Sequence, residues 1–97
     1  MNRQEAYIIV SRVLERCRDD GFHDLVSRVG TTASEEAVGP SSTHYTVDVS
    51  IAWAAGRRST LEVHARIDDQ NSFRFGVLEE RIFLPDPDPV EPQSGFA

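Results

Sequence analysis

The chain has 97 residues, which is enough for one small domain. Its net charge of −6 excludes the non-specific nucleic-acid binding that needs a basic surface, and no run of about 18 apolar residues is present to cross a membrane. The single cysteine, Cys17, excludes an internal disulfide. No secretory signal is visible, so we expect a cytoplasmic protein with no nucleic-acid and no membrane partner.

A long helix is predicted from the N-terminus to about Asp19, preceded by Asn2 or Met1. Gly21 suits the end of this helix, because glycine readily adopts the left-handed conformation found there. The apolar residues that share one helical face are Ala6, Ile9, Val10, Val13, Leu14 and Cys17. We expect this face to pack on a sheet, with Cys17 as buried packing rather than a nucleophile.

The two segments after the helix have weaker patterns. Phe22–Val29 suits either a short helix closed by Gly30 or a first strand pairing with Thr43–Trp53, because periodicity does not separate short apolar runs. We favour the strand, since a long helix followed by a four-stranded meander covers the sheet better. Thr31–Ser42 is rich in Thr, Ser, Gly and Pro and is predicted to be a loop, with Ser34 capping one helical turn.

Two strands are predicted next, over Thr43–Trp53 and Ser59–Asp68. In both, apolar and polar residues alternate with the period of two that marks a half-buried strand. The apolar positions are Tyr45, Val47, Val49, Ile51 and Trp53 in the first strand, and Leu61, Val63, Ala65 and Ile67 in the second. Because the two apolar faces must match, the loop needs an odd number of residues, and we expect a three-residue loop around Gly56.

A third strand is predicted over Phe73–Leu84. Its apolar positions change phase, from Phe73, Phe75 and Val77 to Leu78, Ile82 and Leu84. A β-bulge near Gly76–Leu78 would absorb this change, and Pro85 would end the strand because proline has no N–H to donate. Residues 85–97 hold prolines, three acidic residues and no basic one, so we expect a disordered acidic tail.

These elements predict an α+β fold. It is a two-layer sandwich in which the N-terminal helix packs on an antiparallel β-meander of three or four strands. Residues 1–84 would form the single domain, and residues 85–97 the tail.

One cluster of polar residues is a candidate site for chemistry. It consists of Asp48, Ser50, Glu62, His64 and Arg66. In either of two registers these side chains share the polar face of the sheet, with Asp48 opposite His64 or Arg66. The set contains Ser, His and acid, but strand residues on an open face lack the pocket and oxyanion donors of a hydrolase. We favour cross-strand pairing on a solvated surface and expect no cofactor, no metal and no catalytic residue.

The apolar face of the sheet suggests a second candidate site. One helix covers only part of such a sheet, and the outer strand Phe73–Leu84 has no lysine or internal proline to protect its edge. The candidate interface residues are the aromatic ones on this face, Tyr45, Trp53, Phe73 and Phe75. We therefore expect a small acidic, non-enzymatic protein-binding module, whose partner is another protein or a second copy. The alternative is a small-ligand or metal-dependent enzyme that uses the polar face.

The order of a helix and an antiparallel meander, with an acidic balance and no catalytic motif, is similar to small bacterial immunity proteins and to secretion chaperones. The similarity lies in architecture and charge alone. It therefore implies no role for any individual residue.

Overall fold

A computed structural model describes residues 2–56, 59–70 and 77–87. It confirms the α+β architecture: an N-terminal helix packs on a four-stranded antiparallel sheet with strand order β1-β2-β3-β4. The elements are α1 (Arg3–Asp20), α2 (Phe22–Val26), β1 (Thr32–Val38), β2 (His44–Trp53), β3 (Thr60–Asp69) and β4 (Val77–Pro85). The predicted tail falls mostly on residues 88–97, which lie outside the described residues.

Helix α1 matches its prediction closely. Asn2 caps it, because its side-chain oxygen accepts the backbone N–H of Glu5 at 3.0 Å. Gly21 ends it with φ 92°. The predicted apolar face is buried, with Ile9 half-buried. Glu5 is also buried, at 8% exposure, although its side chain is charged.

The prediction of a strand at Phe22–Val29 is wrong, because Phe22–Val26 forms helix α2. The spacing of its apolar residues is helical, and Phe22 and Leu25 are buried in the core. Local bonds add to this choice: the Leu25 N–H donates to Gly21 O at 3.1 Å. Arg28 also pairs with Asp20 and Asp24, at 2.9 and 2.5 Å, in contacts that a strand cannot make.

The prediction of a loop over Thr31–Ser42 is also wrong. Thr32–Val38 forms β1, an edge strand that brings the sheet to four strands, and Ser34 starts no helical turn. A tight turn follows, in which Ser42 N–H donates to Gly39 O at 2.8 Å and Gly39 N–H donates to Thr43 O at 3.0 Å. Ser42 has φ 68°, a left-handed conformation that closes the hairpin at some cost for a non-glycine residue.

Strands β2 and β3 have the predicted faces and a single register. Asp48 lies opposite Arg66, and Ser50 lies opposite His64. The three-residue loop is wrong: β2 ends at Trp53 and β3 begins at Thr60, and the connection includes a 3-10 turn at Ala54–Gly56. The parity argument nevertheless holds, because both apolar faces meet in the core.

Strand β4 pairs with β3 without interruption from Val77 to Pro85, so this range contains no bulge. Leu78 is buried, and Ile82 and Leu84 pack against the core, as their phase predicts. Val77 lies opposite Asp68, on the polar side, which corrects its predicted place on the apolar face. Phe73, Phe75 and Gly76 lie outside the described residues.

The helix lies unevenly on the sheet. Helix α1 packs on β3 and β4, and α2 packs near Trp53 through Phe22, with ring centroids 6.0 Å apart. The core between the layers is built on Tyr45, Val47, Leu61, Val63, Ala65 and Ile67, all fully buried. Strand β1, at the far side from β4, is largely exposed. We call the sheet face away from α1 the outer face.

Candidate functional site

The five residues of the predicted polar patch do share the outer face. Asp48 and Arg66 form one cross-strand pair, and Ser50 and His64 form the next. Glu62 lies one position further along β3 on the same face, opposite Phe83 of β4. The sequence therefore predicted their common surface, and the structure adds their individual bonds.

Those bonds do not assemble a nucleophile and a base. Ser50 Oγ bonds Thr32 Oγ1 at 3.0 Å, and His64 Nε2 bonds Glu79 Oε1 at 2.7 Å. No hydrogen bond joins the Ser50 and His64 side chains, although both are described. A serine nucleophile needs such a bond to its base, so this arrangement does not activate Ser50.

The charged members of the patch are held in ion pairs. Arg66 Nη1 lies 3.4 Å from Asp68 Oδ2 and 3.8 Å from Asp48 Oδ2. Arg81 Nη1 donates to Glu62 Oε2 at 2.9 Å. All of these side chains are partly exposed, so each pair contributes little to stability. The outer face is a ladder of cross-strand pairs.

Metal and thiol chemistry find no support in the described part of the chain. There, no group of three or more His, Cys, Asp or Glu side chains is placed to hold one metal ion. Cys17 is buried on α1, and burial raises the pKa of its thiol. A buried thiol with a raised pKa is a poor nucleophile. Among the described residues, no helix combines the length and apolar character needed to cross a membrane.

Two of the four residues of the predicted aromatic interface, Tyr45 and Trp53, fall within the described residues. Tyr45 is fully buried in the core, because α1 covers it, and so offers no area to a partner. Trp53 is half-buried and packs on Phe22. Phe73 and Phe75 fall outside the described residues.

The most open part of the described fold is the free edge of β1. In an antiparallel pair, hydrogen-bonded and non-hydrogen-bonded positions alternate. The bond from Gly39 N–H to Thr43 O sets this alternation, so the odd-numbered residues of β1 bond to β2. The backbone groups of Ser34, Glu36 and Val38 therefore point away from the sheet, toward the free edge.

A cleft runs beside this edge, between α1 and β1; we call it the edge cleft. Two adjoining parts, of about 570 and 490 Å³, share Ile9, Arg12 and Val38. Ile8 and Val38, at its border, are 47% and 60% exposed, which is high for large apolar residues. The cleft exists because α1 packs on β3 and β4 and reaches β1 through an ion pair of Arg16 and Glu35, at 2.6 Å.

Charges differ on the two sides of β1. On the outer face, Glu36 is exposed and makes no ion pair or side-chain hydrogen bond within the described residues. Across that face, His44 lies on the adjacent strand, and Arg66 lies two strands away, held by Asp48 and Asp68. On the cleft side, α1 contributes Arg12 and Arg16 together with Glu15 and Asp19, and Arg16 is paired with Glu35 of β1. The outer side thus presents the exposed carboxylate of Glu36, whereas the charges along the cleft are of both signs and lie beside apolar side chains.

Glu5 holds the end of this edge in place. Its carboxylate accepts Ser41 Oγ–H, with oxygen distances of 2.9 and 2.6 Å, and Ser41 N–H at 3.3 Å. Gly39 lies directly against it, and a Cβ at Gly39 would overlap the Glu5 carboxylate. The start of α1 is therefore tied to the β1–β2 turn at one end of the edge cleft.

The opposite edge, β4, is better protected. Asp86 N–H donates to Ser59 O at 2.8 Å, so the outward-pointing backbone positions of β4 are the odd-numbered ones. Arg3 Nη1 reaches the carbonyl of Val77, at 3.4 Å, and Pro85 has no N–H. Because α1 also packs on this strand, β4 is a weaker template for strand addition than β1.

Comparisons of the chain with protein-family models, curated proteins and solved structures found no match. No relative therefore assigns a role to any residue. The edge cleft was not predictable from the sequence patterns, because the composition of Thr31–Ser42 predicts a loop in place of β1. The available signal was the absence of proline from Thr32–Val38, since proline commonly protects a sheet edge and no lysine occurs anywhere in the chain.

Proposed function

We propose that this chain is a non-enzymatic protein-binding module that binds its partner along β1 and the edge cleft. The observation that carries the proposal is the coincidence of outward-pointing backbone groups at Ser34, Glu36 and Val38 with an adjoining cleft that is partly apolar. An extended segment placed along β1 would bond these groups, and every second side chain would face the cleft. Backbone bonds would supply affinity, and the cleft would supply specificity.

The partner under this proposal is another protein or a second copy of the chain. The proposal keeps the expectation of a cytoplasmic protein, whose single cysteine suits a reducing compartment. The alternative, an enzyme using the outer face, gains no support from the bonds of Ser50 and His64 to Thr32 and Glu79.

The test uses a photoreactive amino acid at Val38, with the same group at Phe83 as the matched control. Both are exposed apolar residues of edge strands, at 60% and 53% exposure, and both have outward-pointing backbone groups. In the source cell, we expect a defined adduct from position 38 that excess untagged protein suppresses. Equal labelling from both positions, labelling from 83 alone, or no adduct at 38 would refute the proposal.

A further inference from the structure

We infer that the segment bound at β1 is an extended strand that alternates basic and apolar residues, with the basic ones on the outer face beside Glu36. This inference rests on the proposed function, because it names the chemistry of the partner for the same edge. It makes the partner a different protein with a basic segment, rather than a second copy of this chain.

The outer-face side chains of the added strand would lie beside an acidic residue of β1. Glu36 lies in the middle of β1, exposed and without an ion pair in the described part of the chain. Directly inward lies Thr46, a neutral residue. A lysine or arginine across from Glu36 would complete the ladder of charge pairs that already crosses β2, β3 and β4. The net charge of −6 would also speed the encounter with a basic segment.

The cleft side favours apolar residues. Ile9, Val13 and Ala37 contribute apolar surface there, and an apolar side chain of the added strand would bury against them. Charged residues of both signs line the same cleft, and Arg16 already pairs with Glu35. The two sides of β1 therefore favour different residue types, which is the period-two pattern of a strand.

A second copy fits this edge less well. Antiparallel pairing of β1 with the β1 of another copy, at full overlap, centres on Glu35, whose carboxylate is already paired with Arg16. At that overlap Glu36 would lie opposite Ser34 of the second copy, which offers its carboxylate no cation. Other registers shorten the overlap, and two chains of charge −6 repel each other in every register.

The probe is a capped seven-residue peptide that alternates lysine and valine, added to the full chain labelled for NMR. We expect it to bind and to slow hydrogen exchange at the amides of Ser34, Glu36 and Val38, but not at Glu79 or Phe83 of β4. Affinity should fall as salt rises, because the charge pairs are exposed. A peptide alternating glutamate and valine and one with its lysines in a single block are the controls.

Two variants at one position separate backbone pairing from charge. Glu36→Pro removes an outward N–H and the carboxylate but no bond to β2, so the fold should persist, as circular dichroism checks, while peptide affinity falls about tenfold or more. Glu36→Gln keeps the N–H and should weaken binding about two- to fivefold at low salt and less at high salt. The Glu36→Pro effect at β1, with no loss from Phe83→Ala on β4, would support the inference.

Three outcomes would overturn the inference. Tighter binding of the glutamate peptide, or of the block peptide, would mean that the edge accepts strands but with different chemistry. A dimer by light scattering that Glu36→Pro dissociates would make a second copy the occupant. Both results would leave the proposed function standing. Absence of binding by every peptide, together with a monomer, would overturn the inference, and the photo-crosslinking result would then decide the proposed function separately.

Discussion

Replacing Tyr45 with phenylalanine should stabilise this protein. The Tyr45 ring is fully buried between α1 and the sheet, and its hydroxyl oxygen has no hydrogen-bond partner in the described structure. Glu5 and Thr43 lie near enough to influence its ionisation, but neither meets the hydroxyl at hydrogen-bonding geometry. In the unfolded chain that hydroxyl is hydrated, so folding leaves it without a bond that water supplied.

The size of the effect follows from two opposing terms. Burying an unpaired hydroxyl costs about 1–3 kcal/mol in desolvation, and Tyr45→Phe removes this penalty. The void left by one oxygen atom costs about 0.3 kcal/mol at the usual cost per unit of cavity volume. We therefore expect Tyr45→Phe to raise the free energy of unfolding by about 1–2 kcal/mol. Tyr7→Phe is the matched control, because Tyr7 is 52% exposed and should change stability by less than about 0.5 kcal/mol.

The assay is urea unfolding followed by the fluorescence of Trp53, the single tryptophan, which packs on Phe22. A loss of about 1 kcal/mol or more in Tyr45→Phe, with Tyr7→Phe unchanged, would refute the reasoning, because it would mean that the hydroxyl is bonded in the folded state.

Alkaline pH provides a second readout for the same residue. Burial, and then the negative charge of Glu5, raise the pKa of Tyr45 above its ordinary value of 10.0. The unfolded chain therefore loses this proton at lower pH than the folded chain does. The protonated Tyr45 hydroxyl therefore contributes fully to the free energy of unfolding below about pH 10, and this contribution falls as pH rises through the pKa of the folded state. Tyr45→Phe should flatten this decline, apart from the similar contribution of Cys17, and an unchanged decline would contradict the assignment.

Three further predictions concern the edge turn and the outer face. Glu5→Ala should lower the free energy of unfolding by about 2 kcal/mol in urea, because it removes the charge-assisted bonds to Ser41; a change below about 0.5 kcal/mol would show that the tie is not formed. Ser42→Gly should raise the free energy of unfolding, measured by thermal unfolding, by up to about 1 kcal/mol, since φ 68° suits glycine better. A clear decrease in that free energy would argue against this turn. Asp48→Ala and His64→Ala should each cost less than about 1 kcal/mol in urea, whereas a larger loss would mean that these surface pairs stabilise the fold substantially.

The outer-face cluster was largely predictable from the sequence, and the edge cleft was not. Strict alternation in β2 and β3 placed Asp48, His64 and their neighbours on one face whatever the register. The bonds that they make depend on β1 and β4, because Ser50 bonds to Thr32 of β1 and His64 bonds to Glu79 of β4. Glu5 looked like one more polar helix residue, since its partner Ser41 lies 36 positions away in sequence.

Elements whose two sides face different surroundings were predictable from the residues alone. Helix α1 and strands β2 and β3 each bury one face and expose the other, so their apolar residues recur with periods of 3.6 and 2. Strand β1 depends instead on tertiary contacts. This edge strand is held by backbone bonds to β2 and lies largely outside the cover of the helix, so burial imposes little pattern on its side chains. Because the helix does not cover Thr32–Val38, this strand shows no clear hydrophobic alternation, and the edge cleft lies open beside it.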